Sequence, residues 1–270
     1  MKSFVAFLPL LALVGACADA PPSAPRTAPS DAQYIINGTL TGNAYGAVGA
    51  LLFDFDEDGL ITGNDQWCTG TLVTPTAFLT AAHCVVGSFT PAGTQFYVSF
   101  APDLHASNAT FIKADSYVSD PLRTDLALVF IPAQSTRGIT PYNLPSAGEL
   151  DKLAANGKLN NAIFINVGYG SSASITGMPA LTYDGKRAWS ESEFLWLQKL
   201  WLGLLMNPNA TGLGGDCYGD SGGPKFLSTN PGVVYATVSF GDRNCRATSV
   251  DFRTDTKAAR DFLGQFIPLP

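Results

Sequence analysis

The sequence is poor in charge, in basic runs and in histidine. Only 14% of its 270 residues are Asp, Glu, Lys or Arg, and the formal net charge is -6. Without a Lys/Arg run the chain lacks the cationic face that phosphate binding needs, which excludes nucleic acid as a partner. Long apolar runs are also missing, since Phe4–Ala16 is too short to cross a bilayer as a stable helix. There are two histidines, His83 and His105, so any imidazole chemistry rests on one of them. What is plentiful is glycine (27) and proline (18), set between short apolar segments. That is the texture of many short strands joined by turns.

Lys2 and the apolar run after it read as an export signal over residues 1–16. Leu13-Val14-Gly15-Ala16-Cys17 resembles the lipobox of bacterial lipoproteins, which implies a cut before Cys17 and a lipid on its thiol. The alternative is an ordinary cut after Ala18-Asp19-Ala20. Residues 17–34, with the stretch Pro21–Ser30, cannot bury a core and are expected to form a tether or propeptide. Setting Cys17 aside leaves four cysteines, an even number in an exported chain that permits three connectivities. The expected location is extracellular or lipid-anchored at the cell envelope, with membrane contact only through Cys17.

Alternating apolar segments at Ala47–Phe53, Gly70–Val73, Phe96–Phe100, Leu126–Ile131, Ile163–Val167 and Val233–Phe240 are bounded by Gly, Pro, Asn or Asp and read as strands. Glu191–Met206 breaks the pattern and reads as a helix or a long insertion. Thr254–Ile267 reads as a C-terminal helix capped by Thr254. Pro132–Pro145 has the composition of a linker between residues 35–135 and 136–270. An all-β chain divided in this way points to two β-barrels.

The chemistry starts at Gly219-Asp220-Ser221-Gly222-Gly223-Pro224. A serine between glycines suits a nucleophile on a tight, exposed turn, where a carbonyl must approach the backbone closely. Serine needs a base, and His83 sits among small residues in Leu79-Thr80-Ala81-Ala82-His83-Cys84. A third group must hold the imidazole, and Asp125 opens the apolar run Asp125-Leu126-Ala127-Leu128-Val129. Gly-x-Ser-x-Gly also marks α/β-hydrolases, but their histidine follows the serine and none follows Ser221. His105 has no matching context and is expected at the surface.

These blocks, in the order His, Asp, Ser, resemble those of the trypsin/chymotrypsin-like serine proteases. Cys68-Thr69-Gly70-Thr71-Leu72, Val167-Gly168-Tyr169-Gly170 and Val238-Ser239-Phe240-Gly241 resemble further blocks, so the likeness runs from Ile35 to the C-terminus. The resemblance implies two packed antiparallel β-barrels and a serine endopeptidase acting on protein or peptide as a monomer without a cofactor. Ser221 would be the nucleophile, His83 the general base and acid, and Asp125 its orienting partner. The N–H groups of Gly219 and Ser221 would form the oxyanion hole. Ser239 resembles the serine that bonds the triad aspartate, and Cys68–Cys84 and Cys217–Cys245 would be the disulfides.

Ile35 resembles the mature N-terminus whose freed ammonium pairs with the aspartate before the nucleophile, here Asp220. The residue before that cut is Tyr34 rather than a basic one, so a protease favouring aromatic residues is expected to make it. In the substrate-binding segment Gly215, Asp216, Ser239, Phe240 and Gly241, Gly215 takes the position that is Asp in trypsin-like members. An inward-facing Asp216 or Asp251 would select basic residues, and outward-facing ones would leave a pocket for uncharged or aromatic side chains. Asp54, Asp56 and Asp58, followed by Gly59, have the spacing of a calcium loop with Asp65 at its last ligand position; the alternative is a solvated acidic hairpin tip.

Overall fold

The computed structural model describes residues 35–87, 90–173 and 181–270. The signal segment, Cys17, the tether and Tyr34 lie outside the described residues. Strand β1 (Thr39–Leu40) is followed by β2 (Val48–Leu52), β3 (Gln66–Thr74), β4 (Ala77–Thr80), the one-turn helix α1 (Ala82–Val85), β5 (Tyr97–Ser99), β6 (Ile112–Lys113), β7 (Ser116–Ser119) and β8 (Ala127–Phe130). Strands β2 to β8 form one antiparallel seven-stranded sheet in the order β6-β5-β2-β3-β4-β8-β7. It curls around Leu51, Phe53, Leu72, Phe96, Val98 and Val129, which are inward members of the alternating segments, and around Phe78 on β4.

Residues 132–145 then cross between the two sheets. Tyr142 N–H donates to Leu72 O on β3 (2.9 Å), and Asn143 N–H donates to Gly232 O (3.0 Å). Beyond the crossing come helix α2 (Glu149–Ala155), β9 (Ile163–Gly168), the short pair β10 (Ser172–Ala173) and β11 (Leu181–Thr182), β12 (Ala188–Leu197), β13 (Trp201–Leu205), helix α3 (Pro208–Thr211), β14 (Pro224–Leu227), β15 (Asn230–Gly241), β16 (Thr248–Arg253) and helix α4 (Lys257–Leu263). The second large sheet has the order β1-β12-β13-β16-β15-β14-β9, and a β12–β9 pairing closes it into a barrel. The fold is thus the two-barrel, all-β architecture with a C-terminal helix. The first residues of the described chain sit on the second barrel, because β1 pairs with β12.

Two local expectations are corrected. Glu191–Met206 is no helix but the greater part of the β12–β13 hairpin, with Glu193 opposite Leu205 and a bulge between Phe194 and Trp196. Its barrel-facing side begins Ala188, Ser190, Ser192, which are buried, while Trp189, Glu191 and Glu193 stand half-exposed. Hydrophobic alternation is inverted there, so the strand period is hidden. The C-terminal helix is capped by Thr256, whose side chain accepts Ala259 N–H (3.1 Å). Thr254 instead donates its hydroxyl to Val234 O (2.7 Å) on β15. The helix buries Ala259, Phe262 and Leu263 against Leu79, Leu128, Phe226 and Phe252, residues drawn from both barrels.

Arg187 holds the junction of the barrels. It is 1% exposed, and no carboxylate among the described residues pairs with it. Its guanidinium donates to Thr41 Oγ1 (3.1 Å), Val48 O (2.8 Å), Ala44 O (3.0 Å), Phe100 O (3.1 Å) and Tyr169 OH (3.3 Å). Burial pushes the Tyr169 phenol up to about 12, so it stays protonated and gives its hydrogen to Ala101 O (2.7 Å). Arg187→Met would leave several buried carbonyls without a donor, so a loss of about 3–5 kcal/mol in urea unfolding is expected. A loss below about 1 kcal/mol would contradict this role.

Candidate active site

The histidine loop is short and covalently pinned. His83 lies on α1, directly before Cys84, whose disulfide to Cys68 ties the loop to β3. Asp125 stands two residues before β8, the strand that pairs with β4 and so ends beside the same loop. His83 Nδ1 lies 2.9 Å from Asp125 Oδ2 and 3.1 Å from Oδ1, and the His83 backbone N–H donates to Oδ1 (3.1 Å). Ser239 donates its hydroxyl to Asp125 Oδ2. That contact is made at an irregularity of β15 between Val238 and Phe240, where the pairing with β16 slips and the Ser239 side chain is re-aimed. Burial alone would raise the Asp125 carboxyl, but the bonds from His83 and Ser239 outweigh it and hold the group below the ordinary carboxylate range. Asp125 is therefore an anion around neutral pH and orients the imidazole through Nδ1, while Nε2 has no hydrogen-bond partner among the described residues.

Ser221 is placed by the first barrel as much as by the second. Thr69 N–H donates to Ser221 O (2.9 Å), and Thr69 Oγ1 donates to Gly219 O (2.9 Å). Gln66 Nε2 donates to the same Gly219 carbonyl (2.8 Å). Thr69 follows Cys68, so the nucleophile loop and the histidine loop hang from one segment of β3. Gly219 (φ +93°) and Gly222 (φ +80°) take backbone conformations that side chains disfavour. At Gly222 a side chain would also strike Thr80 Oγ1 at 2.2 Å. The N–H groups of Gly219 and Ser221 donate to nothing among the described residues, while those of Asp220, Gly222 and Gly223 are all bonded.

Two hollows meet along β15. One, of about 220 Å3, is lined by Ser221, Asp216, Met206, Ser239, Phe240, Gly241 and the Cys217–Cys245 disulfide. The other, of about 580 Å3, is lined by His83, Asp125, Leu122, Trp201, Ser239 and Phe240. Gly215 is not in the first hollow: it bridges to Ile36 through two backbone bonds (2.9 and 3.1 Å), and its Cα faces Met206. Asp216 does line the hollow, but it faces an internal partner, the buried Lys225, which sequence reasoning missed. The warning was a lysine directly after the serine block, inside the apolar strand Pro224–Leu227. Asp251 lies behind the hollow, fully buried.

Asp220 is buried and accepts the N–H groups of Gly170 (2.8 Å) and Cys217 (2.8 Å). Desolvation, with Asp216 nearby, pushes its carboxyl up to about 7. Ile35 is buried too, and Ile36 packs on the Cys217–Cys245 disulfide that brackets Asp220's loop.

The acidic loop is placed apart from the cleft. Asp54, Asp56 and Asp58 bring carboxylate oxygens within 4.8 Å of one another, yet they accept the loop's own N–H groups at Asp58, Gly59 and Leu60. Asp65 is not a ligand of that loop: it turns inward and accepts Thr62 N–H (2.8 Å), closing a one-turn 3-10 helix. His105 is exposed at the surface, edge-on to Tyr183.

Comparison with known proteins agrees with this geometry. The Trypsin family matches residues 58–185. A protein named collagenase from Hypoderma lineatum is 30% identical over 204 residues, covering 70% of this chain and 72% of that protein. The atomic-resolution structure of HBP superposes with a TM-score of 0.60 at 16% identity, covering 87% of this chain and 99% of HBP. A mutant of human heparin binding protein (CAP37) gives 0.60 at 17%, covering 87% of this chain and all of that one. At that identity the two structures speak for the fold alone. The two disulfides are of the kind that forms in oxidising compartments. With its histidine, aspartate and serine carried on the same two-barrel frame, the chain belongs to the trypsin family of serine endopeptidases.

Proposed function

We propose that this exported endopeptidase is made as a precursor and cleaves protein or peptide chains once Ile35 is freed. In the reaction Ser221 Oγ attacks the scissile carbonyl while His83 Nε2 takes its proton. The imidazolium returns that proton to the amine as the C–N bond breaks, leaving an ester on Ser221. Water, deprotonated by the same nitrogen, then attacks the ester and releases the acid. Asp125 keeps the proton on Nδ1 and stabilises the charged ring. The oxyanion of each tetrahedral intermediate is received by Gly219 N–H and Ser221 N–H, a role supported by their having no acceptor among the described residues. Losing one such donor typically costs ~3 kcal/mol of transition-state stabilisation.

The observation that carries this reading is Asp125 accepting from three donors at once, namely the His83 ring, the His83 backbone and Ser239. A surface aspartate has no use for such convergence. Substrate would lie along β15, its side chain entering the hollow beside Ser221. Lipid attachment at Cys17 belongs to the same proposal and rests on the Leu13–Cys17 pattern; a diacylglyceryl mass on that residue tests it. To test the activity, protein beginning at Ile35 is incubated with an unfolded protein substrate, alongside a folded Ser221→Ala variant. Cleavage by the first and none by the second is expected. Equal cleavage by both would overturn the assignment.

A further inference from the structure

The hollow beside Ser221 has one acidic wall residue whose charge is answered from inside the protein. Asp216 is 4% exposed, and both of its oxygens are taken: Oδ1 by Lys225 Nζ and Oδ2 by Ser249 Oγ (2.9 Å). Lys225 is fully buried on β14. Its Nζ also donates to Asn166 Oδ1 (2.6 Å) and lies 3.5 Å from Asp251 Oδ1. The lysine is built into the barrel wall. Asn166 on β9 stands opposite Lys225 on one side and opposite Ser190 on the other, across three neighbouring strands. Its amide group donates to Ser192 Oγ (2.8 Å) and Ser190 Oγ (3.1 Å). Asn166 is thus held with its oxygen toward the ammonium, and the ammonium is held toward Asp216.

The protons in the cluster can be counted. Ser249 Oγ lies 2.9 Å from Asp216 Oδ2 and 2.8 Å from Asp251 Oδ1, but has one hydrogen to give. It donates to one carboxylate and accepts from the other, which must then carry a proton. Burial, working against Lys225, pushes Asp251 up to about 7, and its Oδ2 has no partner among the described residues, as suits a neutral acid. Burial works against the charge of Lys225 as well, but Asp216 and Asp251 outweigh it and raise the lysine, which stays charged. One cation and one anion remain, so the buried wall of the hollow carries no net charge, and the other acid that lines it, Asp242, stands at the rim. Asp242, at the rim, faces its own loop and accepts the N–H groups of Asn244, Arg246, Ala247 and Thr248.

We propose that Lys225 determines the primary specificity of this enzyme: as a resident counter-ion to Asp216 it makes the hollow select uncharged substrate side chains and reject arginine and lysine. This rests on the hollow beside Ser221 being the site that takes the substrate side chain. An incoming ammonium or guanidinium would have to share Asp216 with a cation already in contact with it, and would gain little in exchange for its own desolvation. Besides Ser221, Ser239 and the rim residue Asp242, the remaining lining is Met206, Tyr218, Val238, Phe240, Gly241 and the Cys217–Cys245 disulfide. A volume of about 220 Å3 suits a side chain of leucine, methionine or phenylalanine size. Lys225 touches no substrate. It acts through Asp216.

The test is a side-chain profile. Activated enzyme is assayed on a peptide series varied only at the residue before the scissile bond, with a fluorophosphonate probe reporting the reactive serine independently of that residue. The unaltered enzyme should favour leucine, methionine or phenylalanine over arginine by about ten-fold or more in kcat/KM. Lys225→Met should raise the relative kcat/KM for arginine and lysine by about ten-fold or more. Because that change leaves two acids in the core, the double variant Lys225→Met with Asp251→Asn is made beside it, keeping Asp216 as the single acid. A preference of the unaltered enzyme for arginine would overturn the proposal. So would a folded, probe-labelled double variant with an unchanged profile. Absence of probe labelling in the unaltered enzyme would instead strike at the active-site assignment, and the proposal would fall with it.

Discussion

Asp125→Asn is expected to lower kcat by roughly 10,000-fold while leaving the fold intact. The asparagine amide fills the same space: with its oxygen at the Oδ1 position it still accepts the His83 backbone N–H, and its NH2 at the Oδ2 position can donate to Ser239 Oγ. The loss arises at Nδ1. A carboxylate oxygen stands 2.9 Å from that nitrogen and accepts its proton. An amide NH2 turned toward it would be a donor, which fixes the imidazole with its proton on Nε2. That nitrogen then cannot take the Ser221 proton. KM should change little, because Asp125 does not line the hollow beside Ser221. Steady-state kinetics of the variant, with circular dichroism as the folding control, checks this. A decrease smaller than about ten-fold would mean that the imidazole is held some other way.

The second large effect concerns Ile35. Asp220 has two backbone N–H partners but no cation in contact with it among the described residues. A buried carboxylate in that state is poorly stabilised, and its loop carries the N–H groups of Gly219 and Ser221, the donors proposed for the oxyanion. Cleavage after Tyr34 would deliver an ammonium close to it, since Ile36 is already bonded to Gly215 and packed on the Cys217–Cys245 disulfide. An uncompensated buried charge costs about 3–5 kcal/mol, so activity should rise roughly 100-fold or more on cleavage. The pH dependence of stability gives an independent check. With Asp220 raised to about 7, the folded precursor keeps a proton that the unfolded chain has already released. This contribution to stability is therefore fully present below pH ~4 and is lost as pH rises through about 7. In the Ile35 form the proposed pairing with the freed ammonium would lower the Asp220 pKa and remove that contribution. Melting curves of both forms between pH 4 and 8, in a Ser221→Ala background to prevent self-digestion, should diverge as pH rises. Superimposable curves would contradict the pairing. Asp251 is raised in both forms and cancels in the comparison.

Where side-chain chemistry and backbone geometry required particular residue types, the sequence was readable. Serine between glycines, histidine beside a cysteine and aspartate at the mouth of an apolar strand all stood in short blocks, and the fold brings His83, Asp125 and Ser239 into contact. Strands β2, β3, β5 and β8 around the first core were readable because their inward positions are apolar. The second barrel was less so. Its interior holds Asn166, Ser190, Ser192, Lys225, Ser249 and Asp251, polar residues that a hydrophobic pattern assigns to solvent. The same cause hid the β12–β13 hairpin and the partner of Asp216. Specificity could not be read from Asp216 or Asp251 alone, since the residue that sets their charge lies on another strand. Gln66 and Thr69, which fix Gly219, were missed because an amide and a hydroxyl on a strand carry no sequence signature.

The most direct test of the serine endopeptidase assignment is labelling by a fluorophosphonate, which reacts with an activated serine. It is applied to protein beginning at Pro21, to protein beginning at Ile35, and to Ser221→Ala in each form. Strong labelling of the Ile35 form, weak labelling of the precursor and none in either variant is the expected result. A folded Ile35 form that takes up no label, or label that persists in Ser221→Ala, would contradict it.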